Sequence, residues 1–201
     1  MSSGRHEIAT ADFPSWWAEF MAAHPDAIQI REGDTVTARW ADGEVSATSF
    51  PHDLIGLLLI RRGGYAVGLA SGPRLVTSKV GRRHVQSRTA AGGGSQQRFA
   101  RRRAGQAAVL VDAVTEHARR LLVPGPEDSG LEGEWHGIPE ALVLGGDRTL
   151  WTAVLEEPVL ARLTGLPRRE LPDLSDPDAA VLRRALWRGR AVWVHGSVPG
   201  E

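Results

Sequence analysis

The stretch "TAAGGGSQQRFARRR", Thr89–Arg103, sets three glycines, a Ser-Gln-Gln and four arginines between two segments of opposite periodicity. Before it, "RLVTSKVGRRHVQSRT" (Arg74–Thr89) reads as a strand. After it, "QRFARRRAGQAAVLVDAVTEHARRLL" (Gln97–Leu122) has the strongest helical pattern in the chain. At 100° per residue Phe99, Ala107, Leu110, Val111, Val114, Ala118 and Leu121 share one face, and Arg98, Arg101, Arg102, Asp112, Glu116, Arg119 and Arg120 share the other. Arg103 falls nearer the apolar side. A glycine loop joining a strand to a helix that packs on a sheet implies an α/β fold.

Neighbouring segments extend that reading. "YAVGLASG" (Tyr65–Gly72) pairs with the strand after it as a hairpin turning at Gly72-Pro73. "HDLIGLLLIRR" (His52–Arg62) is predicted as a buried helix, although its periodicity also allows a strand. "PGPEDSGLEGEWHG" (Pro124–Gly137) is an acidic, turn-rich connector. Beyond it come a buried strand in "EALVLGG", a helix interrupted near Pro158, an edge-like strand in "RRELPDL", a capped helix in "DPDAAVLRRALWRG" and a last buried strand in "AVWVHG". Ahead of it all lies a short helix, "DFPSWWAEFMAAHP", begun by Asp12 and Pro14, then strands in "AIQIRE", "TVTARWA" and "EVSATSF". The expected architecture is a mixed β-sheet covered by helices. Residues 1–56 form an N-terminal helix-plus-strands extension packed on the same domain, and residues 57–201 form the main α/β domain.

Composition limits the chemistry. The 201 residues include no cysteine, which removes disulfides, thiolate catalysis and the usual structural zinc sites. His6, His24, His52, His84, His117, His136 and His195 are scattered without ligand spacing, so no metal is expected. Neither G-x-x-x-x-G-K-S/T nor G-x-G-x-x-G is present, and no nucleotide cofactor is expected. No apolar run reaches membrane-spanning length and no signal peptide opens the chain, so a soluble cytoplasmic protein is expected. Trp16, Trp17, Trp40, Trp151, Trp187 and Trp193 lie in apolar patterns and are expected in the core. Asp147 stands at a strand end, where α/β proteins keep functional groups.

Net charge is zero, but its distribution is uneven. Between Asp53 and Asp112 there is no Asp or Glu, while the same segment carries eleven of the chain's 24 basic residues. Arg82, Arg83, Arg88, Arg98, Arg101, Arg102 and Arg103 crowd around the glycines. Such a field supplies sequence-independent affinity for nucleic-acid phosphates. Arginines at the first turns of a helix oppose the macrodipole, which asks for an anion outside the chain. A glutamine behind flexible glycines can orient water and stabilise a developing oxyanion without ionising.

On these residues the chain resembles a known family. "AGGGSQQRFARRRAGQA" (Ala91–Ala107), the strand leading in, the helix leading out and "LVLGGDRTLW" (Leu142–Trp151) are similar to the Vms-like release factors, most closely their actinobacterial branch. That domain is related to the RNase H-like central domain of eukaryotic and archaeal class I termination factors. The resemblance implies ribosome rescue: a peptidyl-tRNA hydrolase that frees nascent chains from stalled large ribosomal subunits. Gln96 would be catalytic, with Gly92, Gly93, Gly94 and Ser95 positioning the loop and the seven arginines meeting RNA. It implies no cofactor and no membrane partner, and a monomer is expected. Cleavage near the tRNA 3′ end is the alternative chemistry, and a non-catalytic ribosome-binding module is the alternative function.

Overall fold

A computed structural model describes residues 5–82, 96–125 and 137–196, and for residues 96–104 the backbone alone. The chain divides into two compact units, Met1–Pro51 with Trp187–Glu201, and His52–Leu186.

The first unit is an antiparallel sheet. β1 (His6–Ile8), β2 (Ile28–Glu32), β3 (Thr35–Trp40), β4 (Gly43–Thr48) and β10 (Val192–Gly196) take the order β1-β10-β4-β3-β2. Helix α1 (Phe13–Ala23) supplies Phe20 to a core of Val36, Ala38, Val45, Ala47, Val192 and Val194. The C-terminal strand therefore belongs to the sheet built by the N-terminal strands. Arg188 reinforces this closure with a forked ion pair to Glu7, each of its two bonds 2.8 Å long (Nε to Oε2, Nη2 to Oε1).

The second unit holds the mixed sheet. β5 (Leu54–Arg61), β6 (Gly64–Ser71) and β7 (Arg74–Arg82) form an antiparallel meander, and β8 (Ala141–Gly146) and β9 (Arg168–Leu171) add in parallel on the other side of β5. The resulting order is β7-β6-β5-β8-β9. Helix α2 (Gln96–Leu122), helix α3 (Arg148–Leu155), the 3-10 turn Pro158–Leu160 and the single-turn α4 (Ala161–Thr164) cover one face. The interruption at Pro158 follows from its missing N–H and fixed φ. Leu174 and Leu182, the latter on α5 (Ala179–Arg190), lie against Gly145 and Gly68 on the other face. Asp178 caps α5 by accepting the Val181 N–H at 2.8 Å.

Two expectations are corrected. "HDLIGLLLIRR" is strand β5, not a helix: Leu54 to Ile60 are all buried, with Leu58 and Ile60 toward α2 and Leu59 toward Leu174. A strand covered on both faces loses the polar half of its alternation, and its sequence then resembles a buried helix. Trp187 is not core: it is half exposed on α5, whereas Leu182, Ala185 and Leu186 are buried. Trp151 is buried as expected.

Glycines at two positions have opposite demands. Gly146 ends β8 at φ +85°, and a Cβ there would lie 2.3 Å from the Ile60 carbonyl oxygen. Gly105 is exposed within α2, and a Cβ would meet nothing within 4 Å. Gly146→Ala should lower the unfolding free energy by about 2–3 kcal/mol through backbone strain. Gly105→Ala should raise it by about 0.5–1 kcal/mol through helix propensity. Denaturant titration of the two variants checks the signs.

Candidate nucleic-acid interface

β7 is an edge strand, and its last pair places Arg82 opposite Gly64. The chain resumes at Gln96, the first residue of α2. Arg83, Arg88, Gly92, Gly93, Gly94 and Ser95 lie outside the described residues. Gln96, Arg98, Arg101, Arg102 and Arg103 occupy the first eight positions of α2, and their side chains lie outside them too. Arg82 is exposed, with Nη2 3.9 Å from Asp178 Oδ2.

The stems on either side of the glycines are well anchored. In α2, Leu110, Val114, Ala118 and Leu122 are buried at four-residue intervals, flanked by partly buried Ala107, Val111 and Leu121. That stripe is narrow because only one side of the helix meets the sheet. On the outer side Glu116 pairs with Arg119 and Arg120, and the hydrogen bond from Arg120 holds its carboxyl below the usual range. Arg119 and Arg120 also suit the negative end of the helix dipole.

One cluster locks helix to strand. Tyr65 on β6 pairs across the strand with Gly81 on β7. A Cβ at Gly81 would lie 2.3 Å from the Tyr65 ring, so the missing side chain lets the ring lie across β7. There it stacks on His117 of α2, with centroids 5.6 Å apart and planes 25° apart. Burial pushes the Tyr65 hydroxyl pKa up. Burial first, then the charges of Lys79 and Arg120, lower that of His117 against a weaker opposing effect of Glu116. Sequence reasoning missed this trio. The chain's single tyrosine was the available signal.

Within the acid-free segment, exposed cations fall on both faces of β7. Lys79 pairs opposite Val67 on the α2 side, whereas Arg82 lies one step out of phase, beside Asp178 at the start of α5. Arg62, Arg74, Lys79 and Arg82 are all exposed. Asp147 caps α3, its Oδ1 accepting the Thr149 N–H at 3.0 Å. Thus three of the described cations, Arg74, Lys79 and Arg82, stand on β7, the strand that precedes the glycine stretch in sequence, and Arg62 stands at the turn between β5 and β6.

A family model described as Actinobacteria/chloroflexi VLRF1 release factor matches residues 53–195. The chain belongs to this release-factor family. The match spans the second sheet, the glycine stretch and α2, and continues into β10. None of the curated proteins matches the chain. Membership in the VLRF1 release factors gives the basic edge a setting, because a release factor works on the ribosome. Among the described residues, no helix is long and apolar enough to cross a membrane.

The His117 environment has a measurable consequence. Its folded pKa lies below the ordinary 6.5, so the unfolded chain takes up the proton first as pH falls. The stability this group contributes is complete above about pH 6.5 and is lost as pH drops through the folded value. His117→Phe keeps the stack on Tyr65 and should flatten the pH dependence of unfolding below that point. NMR titration of the wild-type imidazole should place its midpoint below the ordinary histidine value.

Proposed function

We propose that this release factor is a peptidyl-tRNA hydrolase of ribosome rescue, acting on nascent chains held on stalled large subunits, with Gln96 as its catalytic residue and residues 52–186 as its catalytic unit. The observation that carries this reading is the position of Gln96 as the first residue of a 27-residue helix. Among the residues of that helix whose side chains are described, the first buried one is Leu110, and the axis runs roughly 21 Å from there to Gln96 at 1.5 Å per residue. An arm of that length, fixed at its far end, suits delivery of a loop into a confined site.

The chemistry follows from where Gln96 stands. The first N–H groups of a helix have no intrahelical acceptor, and the dipole there is positive. A carbonyl oxygen that gains charge as water attacks the peptidyl carbon would be stabilised there. The Gln96 amide supplies a donor for that oxygen or an acceptor that aligns the water. The water oxygen bonds to the carbonyl carbon, the ester bond to the terminal ribose breaks, and the ribose hydroxyl leaves with a proton. The glycines permit close approach to the substrate backbone, and Arg82, Arg83, Arg88, Arg98, Arg101, Arg102 and Arg103 neutralise phosphates around it.

Purified wild type and Gln96→Ala, incubated with stalled large-subunit peptidyl-tRNA complexes, test the assignment. Gln96→Ala should slow release by about a hundredfold or more while ribosome binding persists. Release at the wild-type rate defeats the role of Gln96. Sequencing the freed tRNA should show an intact 3′ end; a shortened end would establish endonucleolytic cleavage instead. Replacing Arg98, Arg101 and Arg102 by glutamine should weaken ribosome binding and reduce the slope of log affinity against log salt by about 0.7 per arginine. Unchanged co-sedimentation across a salt series would remove those arginines from the interface.

A further inference from the structure

The second unit carries a built crevice that the release reaction does not use. β5 and β8 run parallel, and their register ends at Ile60 opposite Gly146. From there the chain turns toward β6 on one side and into α3 on the other. The strand order reverses between them, since the meander lies on one side of β5 and the parallel strands on the other. Ligands of open α/β sheets bind where strand carboxyl ends diverge in this way. Here the divergence leaves a cavity of about 490 Å³ lined by Arg61, Arg62, Gly63, Gly146, Asp147 and Asp176.

The lining has two cations and two anions. Arg61 donates from Nη2 to the Pro172 carbonyl at 3.2 Å, while its Nε is buried without a hydrogen-bond partner. That nitrogen is closed off from solvent, so a ligand in the crevice meets the outer nitrogens of the guanidinium. Asp147 uses Oδ1 to cap α3, and a carboxylate has further lone pairs to offer. Asp176 lies against the turn: a Cβ on Gly63 would stand 2.8 Å from its Oδ2. Next in sequence or register to lining residues, Arg148 follows Asp147 and Arg82 pairs with Gly64; they are 77% and 78% exposed and sit 3.7 and 3.9 Å from their carboxylate partners. Exposed pairs that long are worth little, so both guanidiniums are available to a phosphate.

We propose that this crevice seats one ribonucleotide unit of an RNA strand. The phosphate lies on Arg61 and Arg62, the 2′-hydroxyl donates to Asp176, and Asp147 accepts a second donor of the same nucleotide. A bare anion would meet two carboxylates and a bare cation two guanidiniums. A ribose phosphate brings acceptor and donor side by side, and its 2′-hydroxyl is the group that distinguishes RNA from DNA. The proposal rests on the reading that the basic edge faces RNA, and it adds a sugar-specific contact to the phosphate contacts already assigned.

The test uses the full chain, a labelled short adenylate oligoribonucleotide, its deoxy counterpart and adenosine monophosphate as competitor. The wild type should bind the RNA about tenfold more tightly than the DNA. Asp176→Asn should bring that ratio close to one without weakening DNA binding, and Arg62→Gln, at an exposed turn, should weaken both strands. Asp147→Ser, which retains a capping oxygen, should reduce the ratio as well, with unfolding curves showing that each variant is folded. Equal affinity for the two strands in the wild type, or discrimination that survives Asp176→Asn, overturns the proposal. Displacement of the RNA by micromolar monophosphate would assign the site to a free nucleotide and overturn the strand reading. A chain that discriminates RNA from DNA yet releases nascent peptide equally with or without Gln96 defeats the hydrolase assignment and leaves the crevice standing. The reverse pattern defeats the crevice alone.

Discussion

The second unit depends on the two-sided burial of β5. Seven consecutive residues, Leu54 to Ile60, are withdrawn from water, and the strand hydrogen-bonds to β6 on one side and β8 on the other. A strand placed there must be apolar on both faces, and each face needs its own cover: α2 with α3 on one, the segment holding Leu174 and Leu182 on the other. Removing one large side chain from such a position costs about 2–5 kcal/mol, a large share of a domain's net stability. Register follows from the same strand. Because β5 and β8 run parallel while β6 and β7 fold back in a meander, the end of β7 and the divergence of β5 from β8 fall at one end of the sheet. Helix α2 packs across the sheet from there, His117 on Tyr65, and ends toward the other side, where Leu122 lies beside Gly56.

The Tyr65–His117 stack turns that placement into a constraint on the glycine segment. It ties β7, through the space left by Gly81, to the C-terminal half of α2. The described parts of β7 and α2, up to Arg82 and from Gly105 on, are thereby held to one sheet. The basic residues of α2 divide along the same axis. Arg119 and Arg120 have an acidic partner in Glu116 and a favourable dipole. Arg98, Arg101, Arg102 and Arg103 stand at the end where the dipole is unfavourable to cations, with no acidic residue in sequence between Asp53 and Asp112. The RNA contact proposed above would account for that arrangement.

Local signals in the sequence located most of the elements. The Gly72-Pro73 turn, the apolar stripe of α2, the break near Pro158 and a capped helix in "DPDAAVLRRALWRG" each arise from short-range chemistry and stand where they were expected, with Asp178 as the capping residue. Non-local choices were not legible. β5 lost its alternation to burial on both faces. The strand "AVWVHG" was recognisable as a strand, but its partners β1 and β4 lie far away in sequence. The Tyr65–Gly81 pair was hidden by a register shift next to Leu69 and Ala70: a regular hairpin from Ser71 and Arg74 would have set Tyr65 opposite Val80. Of the site, the sequence showed the charge, the glycines and Asp147 at its strand end, but not the crevice that joins Asp147 to Arg61, Arg62 and Asp176, because its members come from three separate segments.

Neutrality of the whole chain fits this division of charge. With 24 basic and 24 acidic residues, there is no net attraction to draw the protein onto RNA from a distance. Screening confines the field of each patch to about 8 Å at physiological salt, so the basic edge acts only when it is already close to a phosphate array. A uniformly basic protein of this size would bind RNA everywhere with similar strength. A neutral one with its cations concentrated in one acid-free stretch of sequence gains affinity only where that stretch meets phosphates at close range. Under the function proposed above, selectivity for one ribosomal complex would come from geometry rather than from total charge, and the packing of β5, Tyr65 and His117 holds the described parts of β7 and α2 in fixed register for it.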